Sequence, residues 1–291
     1  MTKPLRLGIA GLGTVGTGVV KIVQRHAALL EKRSGRPVEI TAVSARSRDK
    51  DRGVRLNDYA WEDDPVALAK RDDVDIFVEL MGGSDGPAKA ATEAAIAAGK
   101  DVVTANKALL AIHGQALAEA ADSAETVIRY EAAVAGGIPV IKSLNEGLSG
   151  NEVTRVLGVM NGTCNYILTR MEATKQGYEA LFAEADKLGY LEADPNLDVG
   201  GIDAGHKLAL LASIAFGTQV AFDKVELQGI QNITLELSPP LPPPHPKSDN
   251  VITQRTKFAS KLLFFIIIPY KNKIFPSLSI VKSKAIILMN A

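Results

Sequence analysis

Four carboxylates, Glu192, Asp194, Asp198 and Asp203, precede Lys207 within the nineteen residues Gly189 to Lys207. Acids gathered around one lysine suit a zwitterionic substrate, because carboxylates hold its ammonium while the lysine moves a proton. The ordinary alternative is a solvated i,i+4 ion pair that follows an acidic loop. The first half of the stretch excludes regular structure. Gly189 follows an amphipathic run, Pro195 lacks a backbone donor and Gly200-Gly201 is a flexible joint. From Ile202 the spacing predicts a helix, with Leu208, Leu211, Ala212 and Ala215 on one face and Asp203 as its N-cap. Asp203 and Lys207 are then i and i+4 and share a face, while Glu192 and Asp198 arrive from the loop. His206 points roughly 100° away from its neighbour, as adjacent helical positions must.

The elements that would serve such a site begin at the N-terminus. Leu5–Ala10 reads as a short strand, followed by Gly11, Leu12, Gly13, Thr14, Val15 and Gly16 and then an apolar helical run through Val19, Val20, Ile22 and Val23. Strand, Gly-x-Gly-x-x-Gly, helix is the context in which backbone can approach a pyrophosphate at a helix N-terminus. After a polar insertion at 31–36, the next strand is 38–44. It ends in Ala45-Arg46-Ser47-Arg48, with no acid for a ribose 2′-hydroxyl. Arg46 there accommodates a 2′-phosphate, so the reading favours NADP, with NAD as the alternative and ordinary surface charge as the plain one.

Asp75 to Leu80 reads as a buried parallel strand, with a small-residue turn at Met81-Gly82-Gly83. An Ala-rich helix at 87–98, a strand at 101–104, a helix at 109–123 and a strand at 126–130 continue the alternation. The pattern predicts a doubly wound, Rossmann-type parallel sheet over residues 1–130, in the α/β class. Lys107 falls just past a strand's carboxyl end, the edge where such sheets bind ligands; the alternative is a surface lysine at a helix start. Glu131 to Pro139 is a small-residue loop with one acid. Its carbonyl oxygens and carboxylate would suit a hard, weakly charged cation, although a domain-crossing loop explains it equally. Beyond it, 139–148 reads as helix, 153–160 as strand, and Asn161 opens a helix containing Cys164. Cys164 could be a nucleophile at that helix start, but no histidine partner is evident and a packed small residue is the simpler reading.

Composition narrows the class. The 33 basic residues balance 33 acidic ones, so nothing favours nucleic acid or an anionic membrane as partner. A single cysteine rules out an internal disulfide framework and fits a reducing compartment. The opening residues do not form a signal peptide, and the apolar run 262–268 is far too short to span a bilayer, so a cytoplasmic protein is expected.

Gly11–Gly16, Ala105-Asn106-Lys107, the Glu131–Pro139 loop, Asn161-Gly162-Thr163 and Gly189–Lys207 together resemble homoserine dehydrogenases of the stand-alone form, across residues 3–230. The resemblance implies NAD(P)H-dependent interconversion of aspartate-4-semialdehyde and homoserine, on the route to threonine, isoleucine and methionine. It implies that Lys207 is the proton donor, and that Asp203 and Glu192 bind the amino end of the substrate, with Asp198 in the same constellation. Lys107 would lie between nicotinamide and substrate, and Gly189 at the cofactor edge. Glu131 with the carbonyls of Val134, Gly136 and Ile138 would match the family's sodium site. The family usually forms homodimers through an α+β substrate domain, here expected over 131–235 and incomplete at its C-terminus.

The resemblance stops near Ile230. Residues 238–246 read SPPLPPPHP, a polyproline segment, and an Ile/Lys/Phe/Ser-rich stretch follows an Ala-rich body. Residues 236–291 therefore read as a Pro-rich linker and foreign tail of low order, with KLLFFIII as an aggregation-prone segment. Two further readings follow. The chain could be a truncated, inactive NADP-binding fragment, or a semialdehyde dehydrogenase that works covalently through Cys164.

Overall fold

A computed structural model describes residues 2–191 and 194–235. Glu192, the polyproline segment and the whole expected tail lie outside the described residues. The chain divides into two compact units, one ending at Gly147 and the other starting at Leu148.

The first unit is an α/β layer structure. Its strands are β1 (Leu5–Ala10), β2 (Val38–Ser44), β3 (Ala60–Glu62), β4 (Ile76–Glu79), β5 (Asp101–Thr104) and β6 (Ile128–Arg129). All pair in parallel, in the order β3-β2-β1-β4-β5-β6. Parallel strands need crossovers, and helices supply all but the β2–β3 one, which is an irregular loop: α1 (Thr14–Arg25) and α2 (Ala27–Ser34), then α3 (Pro65–Lys70), α4 (Pro87–Ala97) and α5 (Lys107–Ser123). The near-continuous apolar strands follow from burial on both faces. Ile9, Phe77 and Val102 are fully buried, Phe77 and Val102 against Leu68, Ala91, Ala95, Leu109 and Leu117, and Ile9 with Val20, Val23 and Val43. The first four residues of the polar insertion form the second half of α2, which Gly35 stops in the left-handed conformation. Chain order runs outward from β1 on one side and from β4 on the other, so the sheet has its switch point between them. That is where an open α/β sheet leaves a crevice at its carboxyl ends.

At the opposite end of the same two strands, Arg6 grips Asp75. The guanidinium donates from Nε to Oδ2 at 3.0 Å and from Nη2 to Oδ1 at 2.7 Å, and the Arg6 amide adds a third bond to Oδ2. These bonds hold the Asp75 carboxyl down at about 2, from an ordinary 3.8. A depressed folded value stabilises the native state above the unfolded value and loses that contribution as pH falls from 3.8 through about 2. Asp75→Asn is therefore expected to cost about 1 kcal/mol at neutral pH, allowing for solvent screening of a partly exposed pair. Thermal unfolding followed against pH should show that difference shrinking as the wild-type carboxyl is protonated.

After β6 the chain forms short helices, α6 (Glu131–Val134) and α7 (Val140–Lys142), the latter running into a short π-helix at Ser143–Gly147. The second unit contains α8 (Gly162–Thr174), α9 (Tyr178–Lys187), α10 (Pro195–Val199) and α11 (Ile202–Phe216). Ile167, Leu181 and Ile230 are fully buried at its centre, with Cys164, Leu168, Met171 and Val199 around them. The strand expected at 153–160 is not formed among the described residues. A strand needs a pairing partner, and no described neighbour offers one, so Val156 and Leu157 are buried from an irregular segment.

Candidate active site

In the first unit, the glycine turn leaves β1 beside the switch point. Gly11 has φ 99° and sits so close to β4 that a Cβ would lie 2.4 Å from the Leu80 carbonyl oxygen. A Cβ on Gly16 would lie 1.9 Å from the Gly11 carbonyl oxygen, so this glycine lets α1 pack against the turn. Gly13 differs, because among the described residues no atom beyond its own chain neighbours lies within 4 Å of the place its Cβ would take. Gly13 is the N-cap of α1 without a side-chain cap, and Leu12, Thr14 and Val15 complete the turn. Among the described residues, the start of α1 therefore has room beside Gly13, at the helix end whose amides suit an anion.

Arg46 and Arg48 are exposed just beyond β2. Arg52, which sequence reasoning missed, ties this loop to the glycine turn. Its Nε donates to the Leu12 carbonyl at 3.3 Å, its Nη1 to the Lys50 carbonyl at 2.8 Å, and its Nη2 to the Ser47 carbonyl. Arg48 and Arg52 both lie over the Trp61 ring, 6.0 and 5.7 Å from its centroid. No local spacing rule links residues that far apart in the chain.

Across the switch point, Glu79 is completely buried at the end of β4. One carboxylate oxygen accepts from the Met81 and Gly82 amides at 2.7 and 3.3 Å, and the other accepts from the Thr104 hydroxyl at 2.6 Å. Asn106 donates to the Gly83 carbonyl at 2.7 Å and caps α5 through the Leu109 amide. The expected small-residue turn is therefore pinned to the start of α5, whose first residue is the half-buried Lys107. Glu79 reads as one more residue of an apolar strand, so its part in this network was not visible in the sequence.

Glu131 is the first residue of α6, and its carboxylate accepts from the Gly137 amide at 2.8 Å. Gly136 and Gly137 both have positive φ and turn the chain back over that side chain. Val134 is buried and Ile138 exposed, and the Ile138 carbonyl accepts from the Val140 amide.

In the second unit the acid–lysine cluster is compact. Lys207 Nζ donates to Asp203 Oδ2 and to the Met160 carbonyl, both at 2.8 Å. Asp203 and Asp198 are each 3% exposed, whereas the Lys207 side chain keeps 22%. Such burial sets the pair apart from the solvated surface pair the sequence also allowed. Asp203 does not cap α11, contrary to expectation. Gly201, in the left-handed conformation, occupies that position, and the Asp203 side chain turns inward because Lys207 and Asn161 claim it. An acid in the first turn still suits the positive end of the helix. Asp198 sits in α10, which Asp194 caps and Pro195 starts. Gly189 ends α9 with φ 72°, while the Tyr190 amide bonds back to the Ala185 carbonyl at 3.0 Å, a turn only glycine makes without strain. His206 does face away, packed on Phe222 with ring centroids 4.3 Å apart. Cys164 is buried, with its Sγ 3.3 Å from the Asp198 carbonyl oxygen, which fits a packed residue.

Two family models match the chain. One, described as homoserine dehydrogenase, NAD binding domain, covers residues 11–131, and the other, described as homoserine dehydrogenase, covers 139–264. The homoserine dehydrogenase of Mycobacterium bovis is 47% identical over 232 residues, 80% of this chain and 52% of its own length. The chain thus spans about half the length of the curated relatives it matches. An Archaeoglobus fulgidus structure provisionally named homoserine dehydrogenase is 34% identical, with a TM-score of 0.69, covering 80% of this chain and 75% of its own. A hyperthermophilic archaeal homoserine dehydrogenase mutant solved with NADPH is 27% identical, with a TM-score of 0.69, covering 79% of this chain and 75% of its own.

Proposed function

Because this chain belongs to the homoserine dehydrogenase family, we propose that it interconverts aspartate-4-semialdehyde and homoserine at the expense of a nicotinamide cofactor. The ion pair between buried Asp203 and half-buried Lys207 carries this reading. Two of the three ammonium hydrogens of Lys207 are committed, to Asp203 and Met160, which sets the direction of the third. In the reducing direction that third N–H gives its proton to the aldehyde oxygen, and in the oxidising direction the amine takes the hydroxyl proton back. When bound, the cofactor supplies or accepts the hydride at the carbon. Asp203 and Glu192 grip the substrate ammonium with Asp198 beside them, Lys107 serves at the nicotinamide end, and Gly189 borders the cofactor.

The turn Gly11–Gly16 fits a dinucleotide pyrophosphate, given the open space at Gly13. The arginines after β2 favour NADP over NAD, and an archaeal relative was solved with NADPH. Changing Arg46 and Arg48 together to alanine is expected to weaken NADPH binding about 10- to 100-fold, the worth of one charge-assisted contact, and to leave NADH affinity within about twofold. Fluorescence titration of both cofactors measures it.

Glu131 with the carbonyls of Val134, Gly136 and Ile138 offers oxygen donors only, which fits a monovalent cation such as sodium and would brace the loop after the sheet. We place the protein in the cytoplasm, as a homodimer. Residues 1–130 serve the cofactor and 131–235 the substrate. The reaction is tested by homoserine-dependent reduction of NADP+ by the purified full chain. Cofactor reduction that requires homoserine supports the reading; bound NADP+ without reduction rejects it in favour of an inactive cofactor-binding fragment.

A further inference from the structure

We infer that Asn161 is a positioning residue for the reaction proposed above, holding both buried acids and, through them, Lys207. Its side-chain amide has its hydrogen-bond capacity spent in three directions. Nδ2 donates to Asp198 Oδ1 at 2.8 Å and to Asp203 Oδ2 at 3.0 Å, and Oδ1 accepts from the Cys164 amide at 2.7 Å as the N-cap of α8. The partners dictate its orientation, because two carboxylates require donors and a backbone N–H requires an acceptor. One buried side chain therefore ties the starts of α8 and α11 to the end of α10, where Asp198 is the last residue but one. The oxygen it holds on Asp203 is the one that holds Lys207, and the adjoining Met160 supplies the other bond to the lysine. Asn161 reaches no substrate atom in this account. Its effect is to stop the Asp203 carboxylate from rotating and so to keep the ammonium aimed.

Two substitutions in the full chain separate this role from helix capping. Serine at 161 keeps a good N-cap but has one short hydroxyl, too few donors for both acids. Aspartate keeps cap and shape but sets a third carboxylate against Asp198 and Asp203. Asn161→Ser is expected to lower kcat about 10- to 100-fold with KM for NADPH unchanged, and Asn161→Asp to lower it further. An activity-independent readout is the rate at which Lys207 is acylated by acetic anhydride, followed by peptide mass spectrometry. It should rise at least about fivefold in Asn161→Ser as the lysine loses its tether. Wild-type kcat in Asn161→Ser, an unchanged acylation rate, or failure of both variants to fold would each overturn the inference. If the wild-type chain shows no turnover, the proposed reaction fails separately, and the acylation rate alone then decides whether Asn161 positions Lys207.

Discussion

Lys207→Met is expected to lower kcat about 10²- to 10⁴-fold in both directions, the usual worth of a positioned proton donor, while NADPH affinity stays unchanged. Methionine keeps the apolar stem and removes the charge, so the substitution tests the ammonium rather than the packing. Asp203 Oδ2 would still receive the Asn161 bond, and the Met160 carbonyl would lose one donor at a partly exposed position. Asp203, 3% exposed, would lose its cation, so a stability loss of about 3 kcal/mol is expected, visible as a clear fall in Tm. Cys164→Ser provides the contrast. The thiol is buried against the Asp198 carbonyl, so its loss should leave turnover largely intact, whereas covalent chemistry at this residue would abolish it.

The second large effect concerns the glycine turn, where two alanine substitutions should behave differently. At Gly16 a methyl group would stand 1.9 Å from the Gly11 carbonyl oxygen, an overlap that only backbone movement relieves. Gly16→Ala is therefore expected to lower NADPH affinity about 10²- to 10³-fold, equivalent to losing two bonds to a charged group, and to lower Tm as well. At Gly13 the same methyl meets no atom of the described residues beyond its chain neighbours, and φ −78° is open to alanine. Gly13→Ala should lower Tm only slightly, since alanine is a poorer N-cap than glycine, and still weaken NADPH if the proposed pyrophosphate site takes that space. Isothermal titration and thermal unfolding on both variants check the pair. Equal NADPH affinity in Gly13→Ala and wild type would show that the turn does not receive the pyrophosphate.

Legibility in the sequence followed the range of the interactions. β1, β2, β4 and β5 were readable because short apolar runs between glycine and proline punctuation need no tertiary information. Asp203 and Lys207 were placed on one face by the helical period alone, and the burial of Asp203 came only with tertiary partners such as Asn161. Gly201 took the cap expected of Asp203 because a tertiary partner outbid the local one. Glu79 and Arg52 escaped notice, and Asn161 was read only as a helix start, for the same reason, since each acts on residues at least 25 positions away or bridges separate helices. The segment 153–160 shows the opposite error, as apolar alternation suggests a strand even where no described partner pairs with it.

The central claim is that Lys207 protonates a carbonyl oxygen while a nicotinamide delivers hydride, and the most direct measurement is the forward reaction. Purified full-length chain is mixed with aspartate-4-semialdehyde and NADPH, NADPH consumption is followed, and the product is identified by mass spectrometry. The account predicts homoserine formed in step with NADPH oxidised, and almost none from Lys207→Met. Tight NADPH binding without homoserine, or full activity in Lys207→Met, would contradict it.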